Sequence, residues 1–206
     1  MKKILLIISI FILGNIYSQT SNKKEILYDI DWKLMTMKEF KEKIQDRKFT
    51  YKLTENDTAY LGKIFLREEI GKISSKERSD LIDYLENISK TKIDSSNTIV
   101  LNFFFKPANS PNGSCIDNYT SSRKYRRYFK KRGNLAQFFI AQKGFKYEKN
   151  NVIEDKNRFI RNLLFKYYFS CGNYIIIKSN GDFLRRLGEY RQSVIPKKID
   201  SQWDES

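Results

Sequence analysis

Histidine does not occur anywhere in this 206-residue chain. Its absence removes every Ser-His-Asp and Cys-His nucleophilic arrangement, and every histidine-ligated metal site. Cysteine occurs only twice, too few for a four-cysteine zinc site. Nine glycines and three prolines leave no Gly- or Pro-rich linker, and no phosphate-cradling glycine loop of either common kind is present. Acidic residues are also scarce: 24 stand against 39 Lys and Arg, a formal charge of +15. The carboxylates are too scattered to nominate an acid/base pair, and the Asp29-Ile30-Asp31 spacing alone does not make a metal site. No cofactor and no metal are expected.

Long apolar runs are missing as well. Ile4 to Leu13 is a ten-residue run, well short of the ~20 residues a membrane-spanning helix needs. It follows the basic Met1-Lys2-Lys3 and precedes the small, polar Gly14 to Ser18. That is the layout of a secretory signal peptide, residues 1–18, with the mature chain starting at Gln19. A retained N-terminal anchor is the alternative. The expected location is therefore exported, periplasmic or secreted. In such an oxidising compartment two cysteines suggest one disulfide. The basic balance favours an anionic partner such as lipid, acidic polysaccharide or, less favoured, nucleic acid. An unidentified protein partner is the other expectation.

What is present is organised around Thr98 to Cys115. Ile99 to Lys106 is almost unbroken in β-branched and aromatic character and stops at Pro107, so it reads as a strand covered on both faces. A polar loop, Ala108 to Ser114, then leads to Cys115. Before this strand, residues 19–97 read as a mainly helical extension. Thr36 to Glu39 forms a capping box for a helix through Met37, Phe40 and Ile44. Phe49 to Leu53 alternates as a short strand, and Ala59 to Glu69 reads as a helix capped by Asp57 or Thr58. A second capping box, Ser74 to Glu77, opens a helix with the stripe Leu81, Ile82, Leu85 and Ile88. Its Lys76, Arg78, Asp80 and Glu86 are expected in solvent.

After Cys115, Ile116 to Arg132 reads as one helix closed by Gly133-Asn134, and Leu135 to Ala141 as a second strand. Asp155 to Tyr168 reads as a further helix with a broad apolar face. Tyr174 to Ser179 and Asp182 to Leu187 flank Asn180-Gly181, which predicts a β-hairpin with a two-residue turn. A polar tail occupies 196–206.

From Thr98 to Ile195 the order is strand, loop with cysteine, helix, strand, helix, antiparallel hairpin. With the hairpin wording Asn173 to Tyr190, this resembles the thioredoxin-like (redoxin) superfamily. The resemblance implies an α/β chain, a thioredoxin-like three-layer sandwich over 98–195 behind the helical extension. The family's Cys-x-x-Cys does not carry over: Asn112 stands three residues before Cys115. The place of the family's proline before the hairpin is taken by Cys171-Gly172-Asn173. In that fold the loop after the central strand and the turn into the hairpin meet at one end of the sheet. The resemblance therefore implies a Cys115–Cys171 disulfide.

The function expected is a domain without dithiol redox catalysis, acting as a binding or scaffold module rather than as an enzyme. A thiol–disulfide oxidoreductase using Cys115 and Cys171 as catalytic residues is one alternative. The other is a basic surface protein that binds anionic polymer or lipid through Arg123, Lys124, Arg126, Arg127, Lys130, Lys131 and Arg132, with tyrosines interleaved. The same run also reads as the solvated face of a helix whose aromatics are core.

Overall fold

The computed structural model describes residues 23–107, 114–147, 149 and 151–203. The expected signal at 1–18 and most of the loop leading to Cys115 lie outside these residues. In chain order the first half contains β1 (Lys24–Tyr28), β2 (Leu34–Met35), α1 (Met37–Gln45), β3 (Phe49–Glu55), β4 (Ala59–Leu66), β5 (Glu68–Lys72) and α2 (Ser75–Ser89). The second half contains β6 (Thr98–Phe104), α3 (Ser114–Thr120), α4 (Arg123–Lys130), β7 (Leu135–Gln142), β8 (Val152–Asp155), α5 (Phe159–Leu164), β9 (Asn173–Ile177), β10 (Asp182–Arg186) and α6 (Val194–Ile199). The chain is mixed α/β.

Two sheets result. The smaller has the order β2-β1-β4-β3, with β1 parallel to β4 and β3 antiparallel to it. The larger has the order β5-β10-β9-β6-β7-β8. Strand β6 lies near its middle, parallel to β7 and antiparallel to β9. Because side chains alternate along a strand, Ile99, Leu101 and Phe103 enter one core with α2 and α5, while Val100 and Phe104 enter the other with α3, α4 and α6. The helix α2 holds its face through Leu81 and Leu85, both fully buried; each is worth about 2 kcal/mol by apolar transfer.

Both capping boxes form. Thr36 Oγ1 accepts from Glu39 N–H at 3.3 Å and Ser74 Oγ from Glu77 N–H at 3.1 Å, with each glutamate returning to the cap N–H. Elsewhere the structure corrects the sequence reading. The stretch before Thr98 is not mainly helical; its described part carries five strands and two helices. The segment Ala59 to Glu69 is β4 and the start of β5. The Asn56 side chain accepts from Thr58 and Ala59 N–H, turning β3 back into β4. A Cβ at Gly62 would stand 2.5 Å from Leu27 Cδ2 and 3.3 Å from Phe40 Cε2, so glycine is what lets β1 and α1 close onto β4. Strand β5, also before Thr98, forms the outer edge of the larger sheet beside β10.

Arg78 is not in solvent. It is buried, and its guanidinium donates to the carbonyls of Lys178 (3.1 Å) and Asn97 (2.8 Å), tying α2 to the hairpin and to the entrance of β6. The expected single helix to Arg132 is broken at Ser121-Ser122, where Ser122 caps α4. The expected helix from Asp155 is only α5, because Val152 to Asp155 pairs with β7 as an edge strand. In the hairpin only Gly181 takes positive φ, and its N–H donates to Lys178 O at 3.0 Å. Lys178 N–H in turn donates to Asp182 O, so the loop has three residues rather than two. The tail from Pro196 continues α6, since proline is tolerated in a first turn.

Candidate functional site

At the end of the larger sheet where β6 stops and β9 begins, the two cysteines meet. Cys115, in the first turn of α3, is bonded to Cys171, two residues before β9, with Cα atoms 5.0 Å apart. The register Phe103↔Asn173 explains the meeting: antiparallel pairing puts the exit of β6 beside the start of β9. Both cysteines are half-buried. Cys171 adopts φ +61 and Gly172 φ +103. A side chain at Gly172 would also meet Tyr119 Cε2 at 2.9 Å, so glycine is required there on two counts.

A cavity of about 190 Å³ lies on one side of the bond, lined mainly by Phe104, Phe105, Ile116, Phe145 and Tyr168. On the other side a more polar cleft of about 360 Å³ is lined by Asn118, Tyr119, Glu189, Tyr190 and Gln192. Among the described residues neither lining includes Lys or Arg, and the sequence from Ala108 to Gly113 holds none either.

Beneath the cleft sits a polar cluster that the apolar wording of β6 concealed. Asn102 is fully buried at the centre of that strand. Its Nδ2 donates to Tyr190 Oη at 2.8 Å, and its Oδ1 accepts from Tyr125 Oη at 3.1 Å and Gln137 Nε2 at 2.9 Å. Tyr119 and Tyr190 stack with ring centroids 4.4 Å apart, and Tyr174 meets Tyr190 edge-on at 4.8 Å. Burial pushes the phenols of Tyr119, Tyr125, Tyr174 and Tyr190 above the ordinary tyrosine range. The sequence signal for this cluster was one amide in an otherwise apolar strand.

The basic run divides into parts. Tyr125 and Phe129 are buried and hold α4 on the sheet, so the aromatics are core. Arg123, Arg126, Arg127 and Lys130 line an open groove of about 1080 Å³ at the sheet edge, joined there by Lys92, which the sequence reading did not single out. Lys124 and Lys131 are exposed but do not line it. Arg132 turns away, stacking over Tyr128 at 4.0 Å and lying 3.6 Å from Asp200. The Asp29–Asp31 pair is a turn device: Asp29 Oδ1 accepts from the N–H groups of Asp31 and Lys33. Among the described residues no group of three His, Cys, Asp or Glu is arranged to hold a metal, and no helix is long and apolar enough to cross a membrane. The sequence matches no protein-family model and no curated protein.

Proposed function

We propose that this chain is an exported, thioredoxin-like domain protein whose disulfide is structural and whose role is to bind a partner rather than to turn over disulfides. The fold part of the reading is supported by the larger sheet. Its strand–helix–strand unit (β6, α3 and α4, β7) is parallel, and it is followed by the antiparallel pair β9 and β10 and a closing helix. That order agrees with the family's, and α2 and β5 are additions on one face and one edge. A bonded cysteine pair supports export, since such bonds persist in oxidising compartments.

The observation that carries the non-catalytic part is the placement of the sulfurs. They come from the first turn of α3 and the turn before β9, 56 residues apart, so reduction unties two segments of the chain at once. Among the described residues no Lys or Arg lines the two adjoining cavities, whereas reactive thiolates sit in electropositive settings. Dithiol exchange needs both a low-pKa attacking thiol and a resolving thiol that stays in reach.

An insulin-reduction assay with dithiothreitol tests the reading. Substoichiometric protein is expected to leave the rate at background, with wild type and Cys115→Ser indistinguishable. A rate above background that Cys115→Ser abolishes replaces the binding module with an oxidoreductase.

A further inference from the structure

The groove on the far edge of the larger sheet has a floor, two walls and a charge. Its floor is the first half of β7. Thr98 to Phe104 of β6 pair with Leu135 to Ala141, but β8 begins only opposite Phe139. Among the described residues, Leu135 to Phe138 therefore have a strand neighbour on one side only. An edge of this kind presents backbone donors and acceptors ready for another strand. One wall is α4, with Arg123, Arg126, Arg127 and Lys130; the other is the end of α2 and the segment after it, with Ile88 and Ile93. Among the described residues no Asp or Glu lines the groove, and the nearest carboxylate shown against its lining is Glu86, which pairs with Lys92 at 2.8 Å. Arg126 Nε is buried without a hydrogen-bond partner. None of the four α4 cations has an ion-pair partner among the described residues.

We infer that this groove is a strand-addition site for an extended acidic peptide of a partner protein, which pairs with the open edge of β7 in line with β8. The inference rests on the binding-module reading and supplies its partner class. Successive side chains of an added strand point to opposite faces of the sheet. One set would meet the cations of α4, and the other the apolar Ile88, Ile93, Ala136 and Phe138. The matching sequence alternates acidic and apolar residues. Main-chain pairing supplies affinity and the two walls supply selectivity. Four open residues span roughly 13 Å at ~3.3 Å per residue, so four residues of a hexapeptide fill the slot and the other two extend beyond it. The bland use of such cations, as charges that blunt a sheet edge, places them on the edge strand itself. Here they stand on the neighbouring helix, where an added strand's side chains would reach.

The test is fluorescence anisotropy on the full mature chain with a fluorescein-labelled peptide of three Glu-Val repeats. Controls are a block peptide of the same composition and a peptide N-methylated at alternate residues. The alternating peptide is expected to bind about tenfold more tightly than either control. Arg126→Gln with Arg127→Gln is expected to weaken it about tenfold, with an unchanged circular dichroism spectrum. Equal binding of the alternating, block and N-methylated peptides overturns strand addition. So does binding of heparin or DNA without the peptide, which makes α4 a polyanion face. A dimer in sedimentation velocity that the peptide does not disrupt gives the edge to a second copy and also overturns it. Insulin-reduction activity would sink the proposed function while leaving this result standing, so the two failures are separable.

Discussion

Replacing Asn102 with leucine, of similar size, tests the buried cluster at the centre of β6. The wild-type amide binds the hydroxyls of Tyr125 and Tyr190 and the amide of Gln137. Tyr125 is 4% exposed and Asn102 fully buried, so water cannot replace the lost bond to Tyr125. Each polar group left unpaired in such a place costs about 1–3 kcal/mol. Gln137 is half-buried and can turn towards solvent. Two stranded hydroxyls, less about 1 kcal/mol for the added apolar burial, give a net loss of about 1–5 kcal/mol for Asn102→Leu. Urea unfolding followed by circular dichroism measures it. Adding Tyr125→Phe is expected to recover about 1 kcal/mol, because the stranded phenol is removed. A loss below about 0.5 kcal/mol, or no coupling between the two substitutions, refutes the claim that the network is a satisfied and necessary part of the core.

Two further predictions concern tyrosine ionisation and the disulfide. Burial, followed by the hydrogen bond to Asp155, pushes Tyr84 up to about 12, and burial raises Tyr119, Tyr125, Tyr174 and Tyr190 as well. The fold favours their neutral forms, so this stability is complete below pH ~10 and is lost as pH rises through the raised values. Absorbance titration at alkaline pH is expected to show these five ionising together with unfolding; independent titration of all tyrosines near pH ~10 in the folded protein contradicts it. Replacing both cysteines by serine opens a loop closed across 56 residues. On the chain-entropy estimate it costs about 4 kcal/mol. Thermal unfolding reads the cost, and an unchanged Tm contradicts it.

Parts of this architecture were legible because their causes are local. The capping boxes at Thr36 and Ser74 need only residues within one turn, and the stripe of α2 follows from helical spacing. The strands β6, β7 and β9 were legible because each is apolar on both faces, the wording of a strand buried inside a sheet. The failures share a non-local cause. Strand β4 contains Tyr60, Leu61, Ile64 and Phe65 at a spacing that also suits a helix; pairing with β1 and β3 decides the matter. Arg78 looks like a surface residue in a helical wheel until two loops bring carbonyls to it. The seven-cation run was visible as charge, but its division between groove and solvent depends on how α4 seats Tyr125 and Phe129. The groove's open edge was not legible at all, since it depends on β8 starting opposite Phe139 rather than opposite Leu135.

The Cys115–Cys171 bond is either a structural tie or an exchanging dithiol, and its reduction potential tells the two apart. Equilibration in dithiothreitol redox buffers at neutral pH, with thiols trapped by alkylation and counted by mass, gives the value. A structural bond that ties α3 to the turn before β9 is predicted below about −300 mV, with reduction accompanied by loss of stability. A potential at or above about −270 mV, with the reduced chain as stable as the oxidised one, places the pair among exchanging dithiols and rules out a structural role for the bond.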